Sequence, residues 1–208
     1  MKNFTKILSL ILCIAMTVCF FTACGEDKEP SKTTGKAEPS HTVVISVEEY
    51  GDITLDLYDA YAPETVANFV KLANEGFYEG TIFHRVYQGF MIQGGGYTLA
   101  DTVNTKDCAT IKGEFSSNGF EKNTITHKRG IISMARTNDP NSASSQFFIC
   151  DADSTFLDGN YAAFGVVTKG MDVVDKIAAC PVSVGPSGEE SLPINYPVIS
   201  SVKVVKGK

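Results

Sequence analysis

Short runs in which apolar side chains fall on every second position restrict the possible folds of this 208-residue chain more than any other feature. Val43, Ile45 and Val47 have this spacing, and it recurs from Ile53 to Leu57. A period of two is that of a β-strand, so these runs predict a hairpin with its turn at Gly51. Further short strands, bounded by Gly, Asn, Asp or Ser, are predicted at residues 81–86, 90–93, 130–135, 146–150, 163–167 and 198–205.

Two segments have helical spacing instead. The first begins at Ala62-Pro63-Glu64, where a proline suits the first turn, and it ends at Gly76. The second covers about residues 171–179. About eight strands with two isolated helices indicate a mainly β fold: a closed eight-stranded antiparallel β-barrel capped by two α-helices, rather than βαβ units.

The first 23 residues have the order of a secretory signal peptide and are not expected to belong to this fold. Lys2 and Lys6 precede a run from 7 to 21 that is apolar apart from Ser9 and Thr17, and this run is shorter than the ~20 residues that span a bilayer. Thr22-Ala23-Cys24 then resembles the lipobox of bacterial lipoproteins, in which the cysteine is acylated. The alternative is plain secretion with an incidental cysteine.

Residues 24–41 are predicted to be the lipidated Cys24 and a flexible tether. The segment from Gly25 to His41 contains no aliphatic side chain larger than alanine, so it cannot bury enough surface to offset its ordering entropy. Residues 42–208 are then the folded domain. We expect the protein to lie outside the cytoplasm and to meet the membrane only through its N-terminal lipid.

The composition excludes several classes of partner. A net charge of −6 argues against nucleic acid, which is bound by basic groups that neutralise its phosphates and release their counterions. Three histidines and scattered cysteines offer few ligands, so we expect no metal and no cofactor. Cys108, Cys150 and Cys180 match no metal or redox spacing; Cys150 is interpreted as a small buried apolar residue, and a disulfide between two of the three stays possible.

Chemistry-bearing residues cluster in three strings: residues 82–95, 132–136, and 145–149 with 156–159. Strict alternation places Phe83 and Arg85 on one face of their strand, opposite His84 and Val86. The same rule predicts that one sheet face gathers a cation, two amides, a thioether and an aromatic ring, contributed by Arg85, Met91, Gln93, Gln146 and Phe148. Such an apolar floor edged with hydrogen-bonding groups is typical of a ligand pocket.

The strings FHRV, GFMIQGG, SQFFI and LDG resemble those of the cyclophilins, the peptidyl-prolyl cis–trans isomerases, and the similarity extends from Thr42 to the C-terminus. This resemblance implies a barrel with a proline pocket on its outer face and polypeptides that contain proline as substrates. It assigns catalysis to Arg85, Gln93 and Phe148. It assigns substrate binding to Phe90, Met91, Ala135, Arg136, Thr137, Gln146, Phe156, Leu157 and Tyr161.

The chain departs from the family's pattern at three places. Ala135-Arg136-Thr137 stands where Ala-Asn-Ala is frequent, with one extra residue before Pro140. Phe156 replaces a frequent tryptophan and so lacks its N–H donor, which puts binding of cyclosporin-type inhibitors in doubt. Tyr161 replaces a frequent histidine but keeps an aromatic wall and a hydroxyl.

Other polar residues have plainer interpretations. His84 is expected to make a core or supporting hydrogen bond, and His127, beside Lys128, to lie in an exposed loop. The glycines at 94–96 predict a strand exit rather than a phosphate cradle, because no Lys-Ser/Thr follows them. Arg136 is equally consistent with a substrate contact and a solvated charge.

We expect a monomeric, extracytoplasmic isomerase that assists the folding of exported proteins. Rotation about an X–Pro bond moves no proton, so the reaction needs no acid or base. A permanently charged hydrogen-bond donor such as Arg85 is therefore a suitable catalytic group. Two alternatives are a prolyl-peptide binding module and a holdase chaperone, each with incidental turnover.

Overall fold

The computed structural model describes residues 37–185 and 188–207. The predicted signal peptide, Cys24 and the predicted tether as far as residue 36 lie outside these residues, and His41, the last residue of the predicted tether, begins the first strand. The described part contains ten strands and two α-helices, which are β1 (His41–Val47), β2 (Gly51–Leu57), α1 (Pro63–Asn74), β3 (Thr81–Tyr87), β4 (Met91–Thr98), β5 (Ile131–Met134), β6 (Phe147–Cys150), β7 (Ala163–Lys169), α2 (Met171–Ala178), β8 (Val182–Val184), β9 (Glu190–Pro193) and β10 (Ile199–Gly207). Short 3-10 helices occupy Ser116–Asn118 and Thr155–Leu157. Neither α-helix is long and apolar enough to cross a membrane.

Eight strands form one antiparallel sheet in the order β10-β1-β2-β7-β5-β6-β4-β3. The sheet curls, but its two edge strands meet only through a bridge between Ile82 and Val198 and adjoining backbone bonds, so the expected closed barrel is wrong. Pro197, whose carbonyl accepts the N–H of Phe83, has no N–H of its own with which the ladder could continue beyond this bridge. The result is an open half-barrel.

The concave side of the sheet encloses the main hydrophobic core. The alternating residues of the first hairpin are fully or almost fully buried there, as their spacing predicts. Helix α1 places Phe69 against Tyr78, Phe147 and Phe164, with ring centroids 5.1–5.6 Å apart. Helix α2 buries Val173, Val174 and Ile177. The mainly β architecture with two helices is therefore confirmed.

The β8–β9 hairpin was missed in the sequence. Its strands have only three and four residues, and their pairing shifts register between Ser183 and Val184, so no alternation is visible. The hairpin forms a separate two-stranded sheet, and β9 lies alongside the edge strand β3.

A β-bulge in β3 decides which face its side chains occupy. Phe83 pairs with Gly94 and Arg85 pairs with Gln93, so two steps on β3 face one step on β4. Phe83 consequently points into the main core, against Phe147, while Arg85 lies on the outer face. The prediction that Phe83 and Arg85 share a face is wrong for this reason.

Candidate active site

One transverse row of the sheet contains the central residues of the site. Arg85 on β3 pairs with Gln93 on β4, Gln93 pairs with Phe148 on β6, and Phe148 pairs with Ser133 on β5. Neighbouring strands lie about 4.8 Å apart, so a row across them keeps side chains within contact of one another. Residues up to 63 positions apart in the sequence therefore meet on the convex face.

A cavity of about 160 Å³ opens above this row. Its floor is a small apolar cluster on the outer face, made by Met91, Phe148, Cys150 and Leu157 and distinct from the main core. The complete lining is Arg85, Phe90, Met91, Gln93, Ala135, Arg136, Phe148, Leu157 and Tyr161. The cavity thus has an apolar floor, one cation on each side and an amide between them.

Arg85 forms one wall of this cavity. Its Nη1 lies 3.9 Å from the sulfur of Met91, and its Cζ is 5.9 Å from the centroid of the Phe90 ring. Nε and Nη2 each donate to the carboxylate of Glu189, at 2.7 Å. The guanidinium is therefore fixed in place by an acid that sequence reasoning did not identify.

The polar wall is an amide pair. Gln93 Nε2 donates to Gln146 Oε1 over 3.0 Å. The Gln146 side chain lies directly on Gly96, since a Cβ there would come within 2.5 Å of its Cγ. The close approach of Gln146 thus favours a glycine at this position. Residues 94–96 lie inside β4, so the expectation that they form a strand exit is wrong.

Arg136 separates this cavity from a second one of about 320 Å³, and it lines both. Its Nε donates to the Asn160 carbonyl, and its Cζ lies 4.6 Å from the centroid of the Tyr161 ring. The second cavity is lined by Gln93, Tyr97, Thr105, Ala135, Arg136, Thr137, Ser142, Ser144 and Gln146.

The backbone of 135–137 follows the rim between the two cavities. The N–H of Ala135 donates to the Gln146 carbonyl, and that of Thr137 donates to Ser142 Oγ. Among the described residues, the Arg136 N–H has no such intramolecular acceptor. This N–H therefore has no hydrogen bond of its own at the rim where the resemblance implied a peptide-binding edge.

Three predicted contact residues differ in how they meet the cavity. Tyr161 packs edge-on against Phe148, with centroids 5.8 Å apart. Phe156 does not line either cavity. It is 71% exposed, and its ring centroid lies 5.4 Å from that of Phe90. Phe156 is therefore an outer rim residue. Thr137 lines only the second cavity.

His127 is fully buried, so the expectation of an exposed loop is wrong. Its Nδ1 contacts Asp158 Oδ1 at 2.8 Å, its Nε2 contacts Ser133 Oγ at 3.0 Å, and its ring stacks on Phe148. Burial lowers the pKa of His127, opposed by the Asp158 carboxylate. The charged neighbours Lys128 and Arg129 made an exposed loop the expectation, whereas His127 packs beneath Phe148 of the pocket floor.

His84 lies edge-on to Tyr97, with ring centroids 4.5 Å apart, and its Nδ1 is buried without a partner in the described part of the chain. Burial and the neighbouring Arg85 charge lower the pKa of His84 to about 4. The ring is consequently neutral at physiological pH, where it could not act as a charged donor.

Cys108, Cys150 and Cys180 are free thiols. Cys150 is fully buried under the pocket floor, as predicted, and burial raises its pKa to about 12. A thiol of this pKa is protonated at neutral pH and is a poor nucleophile.

Comparison with known proteins points in one direction. The family described as "Cyclophilin type peptidyl-prolyl cis-trans isomerase/CLD" matches residues 42–204. The chain is 44% identical over 176 residues to peptidyl-prolyl cis-trans isomerase A of Dickeya dadantii, covering 82% of this chain and 88% of that protein. It is 46% identical over 167 residues to peptidyl-prolyl cis-trans isomerase B of Escherichia coli, covering 74% and 94%.

Solved structures give the same result. A cyclophilin from Hirschia baltica superposes with a TM-score of 0.65 at 27% identity, covering 81% of this chain and 75% of that one. A cyclophilin-type isomerase of Cryptosporidium parvum, crystallised in the presence of the dipeptide Ala-Pro, superposes with a TM-score of 0.64 at 27% identity and covers 80% and 99%.

Proposed function

Because this chain belongs to the cyclophilin-type peptidyl-prolyl cis–trans isomerases, we propose that it uses Arg85 to speed X–Pro rotation in exported polypeptides. The enzymatic class follows from the family and from relatives that are isomerases of this kind. The catalytic residues, the exported substrates and the lipid attachment are the parts that we propose.

The reaction requires stabilisation of a twisted amide. Partial double-bond character opposes rotation with a barrier of ~18–20 kcal/mol, whereas the trans and cis forms of an X–Pro bond differ by only about 0.5–1 kcal/mol. Halfway through rotation the proline nitrogen leaves conjugation and becomes a hydrogen-bond acceptor. A donor aimed at that nitrogen stabilises the twisted state but not the planar one, which is the condition for faster turnover.

The cavity supplies this donor together with a seat for the ring. Arg85 lies beside the apolar floor formed by Met91, Phe148 and Leu157. A proline ring on that floor would bring its nitrogen toward the guanidinium, and the Arg136 N–H lies at the opposite rim for the peptide backbone. The juxtaposition of Arg85 with this floor is the single observation that supports the mechanism best.

Several contacts must together lower the barrier to rotation. Shortening a reaction from tens of seconds to milliseconds requires a barrier lower by roughly 5–7 kcal/mol, at ~1.4 kcal/mol per tenfold. One charged hydrogen bond contributes about 1.5–3 kcal/mol. Fixing the ring on Phe148 and the backbone at Gln93 and Arg136 must supply the remainder, helped by exclusion of water from the cavity.

Export and lipid attachment are supported by the first 24 residues. The lysines, the 15-residue apolar run and the small residues before Cys24 are the parts of a lipoprotein signal. With a net charge of −6 the chain has little attraction to anionic headgroups, so a lipid would have to hold it at the membrane.

Replacement of Arg85 tests the mechanism. We expect Arg85→Ala to lower kcat/KM on a proline tetrapeptide by about 10- to 100-fold, because one charged hydrogen bond to the twisted amide is lost. A protease-coupled isomerisation assay measures the rate. Equal rates for Arg85→Ala and the unmodified enzyme would exclude Arg85 as the donor.

Arg129→Ala is the matched control. Arg129 also makes ion pairs, with Asp151 and Asp175, but it does not line the cavity. Loss of a guanidinium at this position should leave kcat/KM within about twofold, since exposed ion pairs contribute about 1 kcal/mol or less to stability.

A further inference from the structure

The guanidinium of Arg85 is clamped by a carboxylate from outside the main sheet. Glu189 accepts from Nε over 2.7 Å and from Nη2 over 2.7 Å, the parallel two-bond geometry in which arginine binds carboxylates most specifically. The two side chains are 34% and 28% exposed, so the pair is only partly screened by solvent.

Glu189 is itself held in place by the β8–β9 hairpin. It lies next to β9, and its carbonyl accepts the N–H of Gly185 across the turn at 2.8 Å. The side-chain hydrogen bonds from Arg85 and Ser191 lower the pKa of Glu189, so the carboxylate is ionised at neutral pH. Because β9 lies alongside β3, the hairpin places the Glu189 carboxylate against the Nε and Nη2 edge of Arg85.

This pairing determines which N–H groups remain for substrate. A guanidinium has five N–H groups, of which Glu189 takes the one on Nε and one on Nη2. Three are left, one on Nη2 and both on Nη1, and Nη1 is the nitrogen that lies 3.9 Å from Met91 Sδ at the pocket floor. The carboxylate therefore binds the edge of Arg85 that faces away from the ring seat.

We propose that Glu189 is a positioning residue for the isomerisation: it fixes the plane of Arg85 so that Nη1 points at the proline nitrogen. Arginine has many side-chain rotamers, and a donor that must be aimed at a transient acceptor is most effective when its orientation is set beforehand. The proposal rests on the proposed role of Arg85. The opposite possibility, that Glu189 neutralises Arg85 and restrains the enzyme, predicts a rate change of opposite sign.

Kinetics of Glu189 variants separate these possibilities. We expect Glu189→Ala to lower kcat on a proline tetrapeptide by about tenfold with KM changed less than twofold, since misorientation of a catalytic group by about 1 Å affects mainly the transition state. Glu189→Gln should retain part of the rate, because its amide oxygen can still accept one bond. Glu190→Ala is the control: it removes the same charge from the neighbouring, exposed position.

A double-mutant cycle tests whether Glu189 acts through Arg85. Adding Glu189→Ala to Arg85→Ala should leave the residual rate unchanged, whereas independent effects would multiply. A further tenfold loss in that background would show a general structural effect and overturn the proposal. A rate for Glu189→Ala alone that equals that of the unmodified enzyme would overturn it as well. A higher rate would also overturn it and would show that Glu189 restrains the enzyme.

The cycle also keeps this proposal distinguishable from the proposed function. Full activity of Arg85→Ala would reject the donor itself, whatever Glu189 does. A slow Arg85→Ala enzyme with a fully active Glu189→Ala enzyme would reject only the positioning role. The NMR signal of the Arg85 Nε–H gives an independent readout: its slow solvent exchange should be lost in Glu189→Ala and kept in Glu190→Ala.

Discussion

The ionisable side chains around the pocket differ in protonation state because their neighbours and their burial differ. Arg85 keeps its charge and is held by Glu189, whereas His84, the adjacent residue, is neutral because burial and that same charge disfavour protonation. His127 is also kept neutral by burial, although Asp158 accepts a hydrogen bond from it. One neutral imidazole thus adjoins Arg85 and the other stacks on Phe148 of the pocket floor.

The buried histidines should make stability depend on pH. A histidine with a folded-state pKa of about 4 and an unfolded value of 6.5 is protonated first in the unfolded chain, so stability falls as pH drops from about 6.5 toward 4. We expect the free energy of unfolding to decrease by about 2 kcal/mol from His84 between pH 7 and 4.5, measured by urea denaturation.

His84→Phe is the variant that isolates this effect, because a phenyl ring can keep the contact with Tyr97. Its stability should fall less over this range, with a remaining fall from His127, whose pKa is also lowered. The carboxylates with lowered pKa, such as Asp153 and Asp172, lose their contribution only below about pH 4.5. An unchanged slope in His84→Phe would contradict the assignment.

At the scale of elements, the N-terminus of α1 is stabilised by a residue from a distant loop. The N-terminus of α1 has no side-chain cap of its own at Ala62. Glu114 supplies the cap from a loop, since its carboxylate accepts from the N–H groups of Glu64 and Thr65 and from the Thr65 hydroxyl, at 2.7–3.0 Å. A buried acid is thereby matched to the positive end of a helix dipole.

Loss of this cap should be costly. We expect Glu114→Gln to lower the free energy of unfolding by about 2–4 kcal/mol, because an amide places N–H groups against the N–H groups of Thr65 and removes the charge. Chemical denaturation measures the change. The control is Glu121→Gln at an exposed position, where less than about 0.5 kcal/mol is expected. Equal stabilities of the two variants would contradict a capping role.

At the scale of the whole molecule, the site lies on the convex face of an open sheet. The concave face is filled by the main core, so the outer face is where a second apolar cluster can remain accessible to a polypeptide. This placement allows a long chain to present one X–Pro bond without threading through the protein.

The lipid attachment can be tested at this scale. In a bacterium that processes lipoproteins, Cys24→Ser should carry no acyl groups and should keep residues 1–23, because the signal peptide of a lipoprotein is cleaved only after the cysteine has been acylated. Isomerase activity per molecule should stay the same. Cys108→Ser should remain in the pellet, and mass measurement of the N-terminal peptide should find the acyl groups. An N-terminal peptide without acyl groups in Cys108→Ser would exclude the anchor.

Local patterns were sufficient to predict most elements of the described fold. The first hairpin, both helices and six further strands follow from periods of two and 3.6, and the motif residues around Arg85 and Phe148 identified the family. The errors have specific causes. The bulge at His84 and the open edge of the sheet depend on pairing with distant strands, and alternation within one strand does not contain that information.

The amino-acid sequence by itself determined most of the elements, the enzyme class and the side chains that line the pocket, because apolar periodicity and short motifs are local properties of the chain. Tertiary structure alone decided the register that aligns Arg85, Gln93 and Phe148, the burial of His127, and the clamp of Glu189 on Arg85. These last features join residues as far as 104 positions apart, and contacts of that range exist only once the strands have paired.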